Sequence, residues 1–314
     1  MSKKKHNLKP DVYLKEFWRD NKRFADLFNT VLFHGKQQLD PNKLQEMDSD
    51  LSSVLSLNGY LETLSRTRDV IKKTDGVNTY VIFGLESQLE VHYAMPLRNM
   101  LYDGLTYLKQ VMLLQKQNRG EKKKKSTAEF LSGLKRDDRI HPVITIVLYY
   151  GEKEWDGPIS LKDMMIPMEP EVEALFVDYK MHVVQVTKSD AYTFSTSELQ
   201  TFFDVSRKIF RGEFESLVKT YEETIEQELA IAIGLVTGYD DLVAYSLERK
   251  DGIAMCNAVK AFEQKNFDLG REQGLDLGIR LAKRVFELSN QGMTMEEIAK
   301  ESDITLEEVK EILL

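Results

Sequence analysis

The sequence predicts an α+β protein: a mixed β-sheet flanked by helices, followed by an all-helical C-terminal extension. Three observations carry this prediction. β-type runs stand on both sides of Asp75-Gly76, a nearly unbroken β-branched and aromatic run occupies residues 143–150, and the chain beyond Ser197 keeps helical spacing with no β-type run.

Taken in order, Phe17, Phe24, Leu27, Phe28, Val31 and Leu32 recur at three- and four-residue intervals, which predicts a helix over 11–33 packed on a core. Gly35 and Pro41 end it, and Leu44, Met47, Leu51 and Leu55 then give residues 43–56 a second helical pattern. Strands are expected near 67–73 and 78–88. Asp75-Gly76 would join them, because both residues tolerate the positive φ of a tight hairpin turn. A helix over 95–115 follows, with Pro96 in its first turn and Leu97, Leu101, Leu105, Leu108 and Met112 along one stripe. Val143–Tyr150 reads as a strand buried on both faces, and a shorter strand is expected at 182–187.

Helices are then expected near 198–211, 213–233, 239–247 and 252–265. Gly270, Gly274 and Gly278 recur every four residues in a polar setting, as a hinge or a close-packed helix face. Thr294 with Glu297 and Thr305 with Glu308 form two capping boxes, so two short helices start there and complete a three-helix tail. The expected organisation is a mixed-sheet domain at 1–195, a helical extension at 196–268 and the glycine-spaced helix with its helix-turn-helix-like tail at 269–314.

Composition narrows the function classes. A single cysteine, Cys256, excludes an internal disulfide framework and a cysteine-based zinc ribbon, and five scattered histidines offer no structural zinc spacing. No segment approaches the roughly 20 apolar residues of a membrane span, and the basic N-terminus runs into charged residues without a signal-peptide core, so a cytoplasmic location is expected. Net charge is −8, so any contact with nucleic acid must be local. Lys122, Lys123, Lys124 and Lys125 are the local candidate: a solvated connection or an arm that contacts phosphates.

The chemistry-bearing cluster lies on the expected hairpin. Glu86 and Gln88 are two apart, so they share a sheet face and interrupt an apolar run, and pairing across the turn brings Asp69 close to the Phe83–Glu86 region. Two carboxylates and a carboxamide suit Mg²⁺, a hard ion that completes its shell with water and phosphate oxygens. Gly84, on the Glu86 face, leaves room for a phosphate backbone. Arg98 is placed to reach a phosphate or to pair with Glu90 or Asp103; Glu46 or Asp48 is a further acid, catalytic or superficial; His92 and Tyr93 receive no role.

Asp69, Glu86-x-Gln88, the segment YAMPLRNMLYDGLTY and the opening RFADLFNTVLFHG resemble the Rpn family of recombination-promoting nucleases and transposase-like proteins, a branch of the PD-(D/E)XK phosphodiesterase superfamily. The resemblance covers about residues 20–190 and is most specific over Leu85–Tyr107. It implies a Mg²⁺-dependent DNA endonuclease, with Mn²⁺ as a substitute ion, acting in recombination, transposition or defence against foreign DNA. It makes Asp69 and Glu86 the metal-binding acids and puts Gln88 in the place of the superfamily lysine, which removes a positive charge beside the attacking water. Lys72, on the Asp69 strand, is the candidate to restore that cation. The alternatives are a catalytically weak relative that regulates through DNA or protein binding, and an oligomeric scaffold. Acids crowd the final helix at Glu307, Glu308 and Glu311, so the tail is expected to serve packing or homodimer formation rather than DNA reading.

Overall fold

The computed structural model describes residues 9–48, 69–74, 82–120, 126–221, 224–249, 252–254, 271, 274–275 and 277–313. These divide between two compact units, Met1–Ile253 and Ala254–Leu314.

The first unit is built on a mixed sheet of strand order β1-β2-β3-β4-β5, with β1 at Leu44–Glu46, β2 at Val70–Thr74, β3 at Ile82–Gln88, β4 at Val143–Tyr149 and β5 at His182–Gln185. The first two pairings are antiparallel and the last two parallel. Parallel β3 and β4 require a crossover, which a helix, α3 (Met95–Arg119), provides across one face of the sheet. Pro96 sits in its first turn, where the missing N–H costs nothing. Asp103 of α3 accepts hydrogen bonds from Thr145 Oγ1 of β4 at 2.8 Å and from Tyr179 Oη at 2.5 Å, which ties the crossover to the sheet.

The opposite face is covered by α1 (Pro10–Arg19) and α2 (Asn21–Phe33), where a single helix was expected. Asp20 leaves helical geometry, with ψ at 129°, and its carboxylate accepts from the amides of Lys22 and Arg23. A residue that caps so well starts a new helix instead of extending the old one. Phe28 meets Phe83 of β3 edge-on at 5.1 Å, while Phe17 and Trp18 pack on Phe202 of α6 (Ser197–Phe210). Arg23, buried in α2, bonds Glu198 of α6 and Glu228 of α8 (Gln227–Thr237), each at 2.8 Å.

Other expectations need revision. Residues 44–46 are an edge strand, because pairing Leu44 with Thr74 and Glu46 with Lys72 satisfies backbone groups that the weak helical pattern did not commit; the rest of that pattern, from residue 49, lies outside the described residues. The Asp75-Gly76 turn also lies outside them, but Lys73 pairs with Ile82, whereas a two-residue turn at 75–76 would pair it with Asn78. The expected helix at 213–233 is broken into α7 (Phe214–Thr220) and α8 by a short strand, β6 (Thr224–Ile225), which pairs with β7 (Ile253–Ala254). Two-residue strands leave no periodicity to read. The remaining helices of this unit are α4 (Thr127–Ser132), α5 (Pro170–Glu173) and α9 (Asp240–Leu247).

The second unit contains a helix over 277–290 (α10), α11 (Met295–Ser302) and α12 (Leu306–Leu313), around Val285, Ile298 and Val309. Both capping boxes form. The Thr294 amide donates to Glu297 Oε2 at 2.9 Å, and the Thr305 amide to Glu308 Oε2 at 2.8 Å. Among the described residues no helix is long and apolar enough to cross a membrane.

Asp26 of α2 is the join between helices and sheet domain that most depends on charge. Its two oxygens accept the amides of Ser195 and Thr196, at 3.0 and 2.9 Å, and both hydroxyls. Burial raises its carboxyl, yet these donors outweigh burial and hold it below the ordinary range. A depressed pKa contributes stability above the unfolded-state value and loses it as pH falls through the folded-state value. Asp26→Asn, which turns an amide toward four donors, is expected to cost about 2 kcal/mol at neutral pH. Urea unfolding should show that gap narrowing on acidification.

Candidate active site

β3 ends in Glu86, Ser87 and Gln88 and turns directly into the loop before α3, so the site residues stand at the carboxyl ends of the parallel strands, where open sheets place their ligand crevices. Val70 pairs with Leu85, and continuing that register by one residue sets Asp69 opposite Glu86. Directly opposed residues share a face of an antiparallel pair. Asp69 lies just before β2, and its Oδ2 accepts the Ser87 amide at 2.7 Å. The acid therefore closes the strand end as well as facing the cleft.

That cleft, of about 520 Å³, is lined by Asp69, Ser87, Gln88, Leu89, Glu90 and Arg98 on the sheet side, with Asp11, Lys15 and their neighbours on α1 opposite. Burial holds the Asp69 carboxyl above the ordinary carboxylate range, against the Ser87 amide and the positive charges of Lys15 and Arg98. A carboxyl perturbed by desolvation in a cleft marks a candidate functional group. Glu86 lies deeper, 1% exposed, with its Oε2 3.8 Å from the Arg98 guanidinium. Arg98 Nε also donates to Tyr102 Oη at 3.1 Å. Of the two fates the sequence allowed Arg98, an ion pair is formed, but with Glu86 and not with Glu90 or Asp103. Asp103 is engaged by Thr145 and Tyr179 instead.

Lys72 does not join this group. It pairs with Phe83, so it points to the face opposite Asp69 and Glu86, where it is 1% exposed. Its ammonium donates to the Arg19 carbonyl and to Asn21 Oδ1 at 2.5 Å, at the junction of α1 and α2. Strand alternation decided this: three residues after Asp69 is an odd step. Gly84 is buried and does not line the cleft. Glu46 pairs with Arg19 at 2.9 Å and Asp48 with Lys109 at 3.0 Å, and neither lines the cleft. Lys122, Lys123, Lys124 and Lys125 lie outside the described residues.

Residues that sequence reasoning passed over also shape the site. Tyr150, following β4, is buried beside Ser87, with its hydroxyl 3.4 Å from Ser87 Oγ and accepting Trp18 Nε1–H at 2.5 Å. It anchors α1 against the strand ends. Asp11 and Lys15 were legible only as an (i, i+4) charge pair on a helix; nothing local says that this stripe faces a cleft.

The donor types match a hard divalent ion: Asp69 and Gln88 line the cleft with Glu86 buried behind them, while the Ser87 hydroxyl turns to the other face, toward Tyr150, and Mg²⁺ takes one or two carboxylates and leaves its other positions to water. Among the described residues no group of three or more His, Cys, Asp or Glu side chains is arranged to hold a metal.

Fold and site together define an α+β protein with an acidic crevice at the carboxyl end of its central parallel strands. Residues 65–234 match the family described as "Putative transposase, YhgA-like", and the chain belongs to that family. No curated protein and no solved structure matches it.

The buried ammonium on the far face is separable from the cleft. Burial pushes Lys72 down from its ordinary 10.5 to about 8, against the attraction of Glu46 and Asp20. Between those values the unfolded chain holds more protons than the folded one, so stability rises with pH. Urea midpoints measured across that interval should therefore increase for the parent and stay flatter for Lys72→Met.

Proposed function

We propose that this protein is a Mg²⁺-dependent DNA endonuclease that hydrolyses phosphodiester bonds in recombination, transposition or defence. The observation that carries the reading is the register that sets Asp69, on the wall of the α1-to-sheet cleft, opposite Glu86, which is buried behind that wall. Membership of the transposase-like family supports DNA as the substrate. Asp69 and Glu86 would hold the ion, with Gln88 beside them. When bound, Mg²⁺ supplies an acidified water and neutralises charge developing on the phosphate.

The chain's own residues contribute the rest. Gln88 orients water through its carboxamide without adding charge. Arg98 presents a planar guanidinium at the cleft, suited to two phosphate oxygens at once, while holding the Glu86 carboxylate in its buried position. The α1 wall of the cleft is anchored by Trp18 on Tyr150.

A second reading, a catalytically weak relative that binds DNA or protein as a regulator, is favoured by two observations. Gln88 brings no cation, and the Arg98 guanidinium already balances Glu86. Plasmid nicking separates the two. With Mg²⁺, Asp69→Asn and Glu86→Gln are each expected to lower nicking about 100-fold or more, with binding of the same plasmid retained. Parent protein that binds but does not nick, over a titration of Mg²⁺ and Mn²⁺, would select the regulator.

A further inference from the structure

Position 88 carries no charge, and Lys72 is turned to the other face of the sheet, so the cleft needs its second cation from elsewhere. The helix α1 supplies one. Leu14, Phe17 and Trp18 are buried on its inner side, and the Trp18 to Tyr150 hydrogen bond holds the helix against the end of β4. One residue beyond Leu14, Lys15 is half-buried and lines the cleft across from Asp69, Gln88 and Arg98. Its charge acts on Asp69 ahead of that of Arg98.

Among the described residues, the charged groups lining the space are the cations Lys15 and Arg98 and the acids Asp11, Asp69 and Glu90. Their excess of negative charge would repel a phosphate unless cations stand where it enters. Arg98, held by Glu86 and Tyr102, presents one from the sheet side. Lys15 is a point charge on a flexible stem, one turn beyond Asp11 on a helix whose backbone is fixed by buried aromatics.

We propose that Lys15 is a phosphate-binding residue of this cleft, gripping a non-bridging oxygen of the DNA backbone from the α1 side and standing in for the cation that Gln88 does not provide. This rests on the nuclease reading for its purpose, but not for its test. Lys15 grips DNA with or without a divalent ion, so its contribution can be read in the absence of metal.

The experiment uses the full chain, a fluorescent duplex oligonucleotide and a chelator, and follows anisotropy over a series of salt concentrations. Lys15→Met and Lys15→Gln are each expected to weaken binding about 10-fold, and to make the slope of log affinity against log salt shallower by about one, the signature of one lost phosphate contact. Lys15→Arg should restore both. Asp69→Asn should bind at least as tightly as the parent, because it removes a negative charge from the cleft. Thermal unfolding of Lys15→Met and Lys15→Gln should match the parent, which excludes a loss of fold. Parental slopes and affinities in both neutral variants would overturn the proposal, and nicking by the parent with loss in Asp69→Asn would still support the nuclease reading. Conversely, a shallower slope in those variants with no nicking by the parent would keep Lys15 as a phosphate site and remove the nuclease reading.

Discussion

A buried carboxylate costs several kcal/mol unless a cation or hydrogen-bond donors stand beside it, and Glu86, 1% exposed near the end of β3, has the Arg98 guanidinium 3.8 Å away. Arg98 can stand there only because α3 begins seven residues after β3 ends, at Met95, and runs back across the sheet as the crossover to β4. The parallel pairing of β3 and β4, the position of the first turn of α3 and the pairing of Glu86 with Arg98 are thus one structural decision. Asp103, tied to Thr145 and Tyr179, and Tyr107 Oη, which accepts the Val143 amide at 3.1 Å, hold the same helix to β4 farther along.

The two faces of the sheet divide the work. On the α3 face lie Asp69, Glu86 and Gln88, which carry the candidate chemistry; the α1 and α2 face holds Phe83, Leu85 and Lys72, which carry packing. Lys72 shows how complete the separation is, because a lysine three residues from a site acid is committed to a carbonyl and a carboxamide at a helix junction. Only at the strand ends do the two sides meet. There α1 lies across the strand ends, and Tyr150 and Ser87 come from one face to border a cleft to which Asp69 comes from the other. The cleft therefore depends on α1, which stands outside the residues that match the transposase-like family.

The helical half of the first unit is fastened to the sheet half by charge as well as by aromatic packing. Arg23 and Asp26, three residues apart and so neighbours on α2, both reach the start of α6, one taking Glu198 and with it Glu228 of α8, the other the turn at Ser195 and Thr196. Phe17, Trp18, Phe202 and Phe203 fill the space between. Helices α6 and α8 are for this reason part of the support for α1, and hence of the cleft wall.

Much was legible in the sequence because it is local. The run at 143–149 is a strand because β-branched residues crowd a helix, α3 takes Pro96 in its first turn because its missing N–H is harmless there, and Thr294 and Thr305 cap helices within four residues of themselves. Alternation alone put Glu86 and Gln88 on one face. The tertiary structure decided what depends on partners distant in the chain: the register that sets Asp69 opposite Glu86, the edge strand at Leu44–Glu46, the commitment of Lys72 to the far face, and the meeting of Lys15 with residues more than fifty positions away. Periodicity records which way a side chain points from its own element, whereas what it meets there is chosen by the packing of elements against one another.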